Sequence, residues 1–326
     1  MNDLKIASGY LLPRNRLRFS VMPLAITLLT LLQLSFASMA SPLRAEPMTV
    51  THAQGETALP DRPKKVFTFD LASLETLDAL GVEVAGVIGS NIPDHLAKYR
   101  DDKYLKIGSL FEPDYETINA AQPDLIIVAG RSSPKYRQLA QIAPTIDLST
   151  DDSTFLESAF RNARTLGRIF GKEPDAEQLI GKLQQTIDEL KVKARSAGRG
   201  LIILTTGGRI SAYGPQSRFG ALHRDFGIAV AIDDLDKAIH GQSVSFEFIL
   251  QTDPDWLFVV DRDAAIGQKG QPAAQLLDNA LIARTKAAQN KRIIYLDAAR
   301  WYLIGGGIVS MQANADQIAT ALDAKP

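Results

Sequence analysis

Three arginines have the surroundings that an anion-binding site needs. Arg131 and Arg262 close an internal repeat, Glu116–Arg131 (ETINAAQPDLIIVAGR) and Glu247–Arg262 (EFILQTDPDWLFVVDR), which align without gaps at six of sixteen identical positions. The shared Glu, Ile, Pro, Asp, Val and Arg read as a helix, a Pro-Asp break, a buried strand and an arginine at its carboxyl end. Open α/β sheets bind ligands beyond that end. A Pro-Asp before an apolar strand is common in α/β chains, but it does not explain the arginine twice, or a glutamate seven residues before each proline. Arg218 lies in the Gly-, Pro- and Ser-containing loop 210–220, which opens into a helix expected around 221–226. A helix N-terminus favours anions, and a guanidinium adds about five donors suited to planar oxyanions. Taken singly, each arginine is more commonly a surface or salt-bridged residue. The shared repeat position and the expected helix start point to a joint ligand role.

His240 sits in the polar loop 238–244, and Tyr302 in 300–307, directly after the apolar strand RIIYLD. A neutral imidazole and a phenolate can complete the shell of a hard ferric ion that its chelator leaves partly open, the metal keeping the phenolate ionised. As a pair alone they are a weak signal, since loop histidines are usually solvated and a tyrosine beside a tryptophan usually packs. His52, His95 and His223 show no metal-ligand spacing and read as structural or solvated, His223 on the exposed face of the helix after Arg218. There is no G-x-S-x-G, H-E-x-x-H, Walker A or cysteine nucleophile, which speaks against an enzyme. Gly305–Gly307 carries no lysine and follows no strand directly, so it reads as a loop or a helix start near the cleft.

These residues need elements to hold them. From Lys65 short apolar runs alternate with helical stretches (VFTFD, LETLDAL, VEVAGVIG, YETINAAQ, LIIVAG), the signature of parallel sheets covered by helices. A long helical region over 155–197, interrupted around 171–174, separates this from a second alternation in LIILTTGG, VAIDD, WLFVV and RIIYLD. The expected organisation is an N-terminal lobe over 46–150, a helical connector over 151–199 with a long inter-lobe helix, and a C-terminal lobe over 200–326. The two arginine-tipped strands would then face one shared cleft.

Arg14, Arg16 and Arg18, an apolar run over 21–36 and small residues at Ala37, Ser38, Ala40 and Ala45 form a secretory signal peptide over 1–45, cleaved after Ala40 or Ala45. The run, broken by Pro23 and Gln33, is shorter than the ~20 residues a membrane span needs. A net charge of -1 draws the chain to neither nucleic acid nor an anionic membrane. With no cysteine the exported chain has no disulfide and no site for an N-terminal lipid, so a freely diffusing periplasmic protein is expected; a monomer is expected as well.

Ser211-Ala-Tyr-Gly-Pro with Ser217-Arg-Phe-Gly220, His240-Gly-Gln-Ser-Val-Ser-Phe-Glu247, Asp261-Arg-Asp-Ala-Ala-Ile-Gly267, Leu277-Asp-Asn-Ala280 and Trp301-Tyr-Leu resemble the periplasmic ferric-siderophore-binding proteins of the catecholate and petrobactin group. The C-terminal motifs are specific and the N-terminal lobe more generic. The resemblance implies a class III binding-protein fold, two α/β lobes joined by one long rigid helix with small hinge motion. It implies a non-enzymatic carrier without an intrinsic cofactor, which takes Fe(III) as a siderophore complex to an inner-membrane ABC permease. It also implies roles: Arg131, Arg218 and Arg262 on catecholate oxygens, His240 and Tyr302 on the iron of a tetradentate complex, Glu116 and Glu247 on arginines of the permease dimer. A haem or corrinoid binder shares this fold, but the arginine trio argues against that alternative.

Overall fold

The computed structural model describes residues 47–233, 235 and 241–324. A hairpin of β1 (Met48–His52) and β2 (Gly55–Leu59) precedes the first sheet, in which β3 (Val66–Thr68), β4 (Gly86–Val87), β5 (Leu105–Lys106), β6 (Leu125–Val128) and β7 (Thr145–Asp147) run parallel in the order β5-β4-β3-β6-β7. All of β6 is buried, as expected of a parallel strand covered on both faces. The second sheet comprises β8 (Arg199–Thr206), β9 (Arg209–Tyr213), β10 (Ala229–Val230), β11 (Gln242–Val244), β12 (Trp256–Asp261) and β13 (Ile293–Tyr295). Its order is β11-β9-β8-β12-β13, with β10 also paired to β8. Here β8, β12 and β13 are parallel, while β9 runs antiparallel to β8 and β11. That reversal comes from Gly207 and Gly208, whose φ of 54° and 76° build the kind of tight hairpin that only glycine-like backbones turn easily.

The sequence repeat has a structural counterpart. Helices α1 (Leu71–Ala79) and α2 (Tyr115–Ala121) belong to the first lobe, and α5 (Phe246–Thr252) matches α2 in the second, after α3 and α4 described below. Asp114 caps α2 by accepting from Thr117 N–H, and Ser245 caps α5 by accepting from Phe248 N–H. Both helices bury one isoleucine, Ile118 or Ile249, and both end on a left-handed residue, Gln122 or Asp253. The repeated aspartate then ties neighbouring strands together: Asp124 accepts from Lys64 and Lys65 N–H before β3, and Asp255 from Arg199 N–H at β8. The Pro-Asp break is thus a brace between adjacent strands.

The connector is a hairpin of α3 (Phe155–Phe170) and α4 (Glu173–Ala194). Gly171, left-handed at φ 64°, ends α3, and Pro174 in the first turn starts α4. Leu156, Ala159 and Phe160 of α3 join the second lobe's core, whereas Leu166, Ile169 and Phe170 join the first. The 22-residue α4 returns the other way, Ala176 in the first core and Ile180 to Ala194 in the second. Both helices therefore span both cores, which resists opening of the lobes.

The C-terminal helix α6 (Ile308–Asp323) packs on α4 and α1. At its N-terminus Glu75 of α1, side chain 1% exposed, accepts from Ser310 N–H at 2.8 Å and Ser310 Oγ–H at 2.6 Å, with His95 Nε2 at 3.1 Å. One lobe's carboxylate caps a helix carried by the other, at the end where the helix dipole favours negative charge. A Cβ at Gly307 would overlap Glu75 Oε1, so the close approach requires glycine there. We expect Glu75→Ala to lower unfolding stability by about 2 kcal/mol, with Glu75→Gln intermediate, read as a shifted denaturant midpoint at constant slope.

Candidate functional site

The site is organised by a π-helical turn, Arg300–Ile304, a form of helix often found at functional positions. Trp301 is buried in the second core, edge-on to Phe219 at 6.4 Å and to Phe226 at 6.0 Å between ring centroids. Leu303 and Ile304 are buried in the first core. Tyr302, between them, packs against both cores, held from either side by its neighbours. Gly305, at φ 66°, ends the turn, and the carbonyls just before it become acceptors for other groups.

The arginines take those positions. Arg131 follows β6 and donates to Tyr302 O at 2.7 Å and Leu303 O at 3.1 Å. Arg218 donates to the same Tyr302 carbonyl at 2.9 Å. Arg262 follows β12 and donates from Nε to the Tyr302 hydroxyl at 2.9 Å. The three guanidinium carbons lie 5.3, 4.6 and 5.6 Å from the Tyr302 ring centroid, within cation–π range. Arg218 is presented by a loop that Ser217 braces through its hydroxyl on Gly214 O, with Phe219 buried beside it. Its following helix, Ala221–Arg224, has only four residues, so the positive charge here is chiefly the side chain's and owes little to a helix terminus.

Among the described residues neither Arg131 nor Arg218 has a carboxylate within ion-pair distance; Arg262 has Asp263 at 3.7 Å. Burial, and then the neighbouring Arg218, push the Arg131 guanidinium below its ordinary value. Burial would raise the Tyr302 phenol, but the Arg262 hydrogen bond and the fields of Arg262, Arg218 and Arg131 outweigh it and hold the phenol below its ordinary value. The centre stabilises negative charge on or beside this tyrosine.

A cavity of about 680 Å³ opens at this centre, lined among others by Asp70, Arg131, Asn162, Arg218 and Tyr302. It is large enough for a small-molecule ligand. Arg262 reaches the phenol from the second sheet without lining the cavity. Burial pushes both Asp70 and Asp152 in its wall upward, against hydrogen bonds from Ser73 at Asp70 and the fields of Arg218 and Arg224 at Asp152.

The structure thus brings Arg131, Arg218, Arg262 and Tyr302 together. His240 lies outside the described residues; the adjoining Gly241 backs onto the Tyr213 ring. Glu116 and Glu247 are both exposed in the first turns of α2 and α5. His223 departs from the sequence reading: it is 8% exposed, its Nδ1 2.9 Å from Ile228 O, and burial lowers its basicity. His52 pairs with Thr57 and His95 with Glu75. Sequence reasoning missed Glu75, whose partner is 235 residues away, and the apolar side of the cavity. The Gly307 that admits Glu75 was the only local trace of that contact.

A family model described as periplasmic binding protein matches residues 66–299. The petrobactin-binding protein YclQ of Bacillus subtilis is 40% identical over 294 residues, 89% of this chain and 92% of YclQ. Its crystal structure superposes with a TM-score of 0.83 over 86% of this chain and 100% of that one, at 41% identity. The ferric-anguibactin-binding protein FatB of Vibrio anguillarum is 30% identical over 278 residues, 83% of this chain and 86% of FatB. The periplasmic catecholate-siderophore binding protein VctP of Vibrio cholerae has a TM-score of 0.79 at 32% identity, over 86% of this chain and 100% of VctP. The lobed fold, the cleft between two sheets and these matches lead to one conclusion: the chain belongs to the periplasmic binding protein family, as an extracytoplasmic binding protein and not an enzyme.

Proposed function

We propose that this protein captures a ferric catecholate-type siderophore in the cleft between its sheets and delivers it to an inner-membrane ABC permease. The observation that carries the reading is the set of three guanidinium groups gathered on Tyr302, two of them without a carboxylate partner among the described residues. A ferric biscatecholate is anionic, and charge-assisted hydrogen bonds to its oxygens from Arg131 and Arg218 in the cavity wall, joined by Arg262 where it leaves the Tyr302 phenol, would offset its charge in a partly desolvated cavity. The relatives support this ligand class, being described as binding petrobactin, ferric anguibactin and a catecholate siderophore.

Tyr302 supplies a phenolate to the iron of a tetradentate complex, and His240 an imidazole. The hydrogen bonds that now hold the arginines to Tyr302 must in part be exchanged for bonds to ligand oxygens. Glu116 and Glu247, at equivalent exposed positions of two matched helices, dock on the permease. The export signal and a free, lipid-less chain in the periplasm belong to the same reading.

Two outcomes test it. Replacing His240 and Tyr302 together, by alanine and phenylalanine, should weaken ferric tetradentate biscatecholate by about 10–100-fold, the loss that even outer partners of a metal ligand produce, and leave a hexadentate triscatecholate unaffected. Equal loss for both would remove the two from the iron. Because the phenol must shed its proton to bind iron, affinity for the tetradentate complex should rise with pH until Tyr302 is ionised and then level off. Its ionisation, followed as the tyrosinate absorbance missing from Tyr302→Phe, should occur below that of free tyrosine and move up in Arg262→Ala.

A further inference from the structure

The cavity has a second chemical face that the arginines do not use. Phe69, Leu110, Leu148 and Leu166, all buried, line it, and beside them stands Phe111, which is 56% exposed. A lone exposed apolar residue needs no account by itself; Val192, 62% exposed on α4, lines no cavity described here. Phe111 differs in its place and in how firmly it is held there.

It occupies the tip of a short turn braced from several directions. Ser109 Oγ accepts from Phe111 N–H at 3.2 Å and Glu112 N–H at 3.0 Å, and Ser109 N–H donates to Glu112 O at 2.9 Å. Gly108 and Pro113 form an antiparallel bridge at the base of the turn. Gly108 has φ 123°, and a Cβ there would meet Asp114 N at 2.8 Å, so the turn depends on glycine. Lys135 Nζ lies 2.8 Å from both carboxylate oxygens of Glu112, tying the turn to the segment that follows Arg131. The backbone that carries the ring is therefore fixed at the cavity wall, in a frame shared with Arg131.

We propose that Phe111 is a ligand-contact residue that stacks on an aromatic ring of the bound chelate. This rests on the siderophore reading above and adds to it a second kind of contact, to the aromatic face beside the anionic oxygens of the chelate. A catechol ring has both: its oxygens suit the arginines and its face suits Phe111. Offset or edge-on aromatic contact adds attraction beyond the apolar area it covers, and the braced turn leaves only the two torsions of the ring to be ordered on binding.

The experiment uses the chain lacking its export signal, titrated with the ferric complex of a tetradentate bis(catecholamide). Phe111→Ala should raise the dissociation constant about tenfold, about 1.4 kcal/mol, chiefly through faster release. Phe111→Trp should retain the affinity and Phe111→Leu fall between. The thermal midpoint should stay the same in all three, because the turn is held by Ser109 and the backbone. Wild-type binding with undiminished affinity in Phe111→Ala overturns the role of Phe111 alone. A wild-type chain that does not bind the complex overturns the siderophore reading and this assignment with it.

Discussion

Three positive charges crowd one tyrosine, and much of the molecule serves to hold them there. Like charges in a partly buried site repel: burial first, and then the neighbouring Arg218, hold the Arg131 guanidinium below its ordinary value. What offsets the crowding is local: the carbonyls of Tyr302 and Leu303, freed at the end of a π-helical turn, accept from two of the arginines, and the phenol accepts from the third. An anionic ligand would complete that neutralisation. The centre is built for negative charge before any ligand arrives.

Such a centre can exist only if the groups around it are kept from drifting apart. Arg131 comes from the first sheet and Arg218 and Arg262 from the second, so the lobes must keep their mutual placement. Three devices do this. The α3–α4 hairpin buries side chains in both cores; Trp301 anchors the π-turn in one core while Leu303 and Ile304 anchor it in the other; and Glu75 caps α6 across the lobes. A rigid frame limits the conformational entropy lost on binding, and so favours affinity over large movement.

Much of this was legible in the sequence because the chain repeats itself. The Pro-Asp break and the arginine that follows each repeated strand located two of the three cationic residues and both matched helices, and the aspartate has a brace's role in each lobe. The Gly207-Gly208 pair between two apolar runs is a hairpin signal, and it accounts for the antiparallel strand in a sheet whose alternation suggested parallel pairing. Contacts between distant segments left no such mark. Glu75 looks like any helical glutamate until α6 is placed over it, and His223 looks solvent-facing until its four-residue helix folds inward. Helix-terminus chemistry was expected beside Arg218, but so short a helix offers little dipole.

Charge selects the ligand at this centre, and the most direct test is to compare two iron complexes of similar size. Quenching of tryptophan fluorescence, with Trp301 next to Tyr302, gives dissociation constants for an anionic ferric catecholate and an uncharged ferric trishydroxamate. If the arginine centre selects the ligand, the anionic complex binds tightly and the neutral one weakly, and Arg131→Ala narrows the difference. If the neutral complex binds as well as the anionic one, the arginines are structural and the central claim fails.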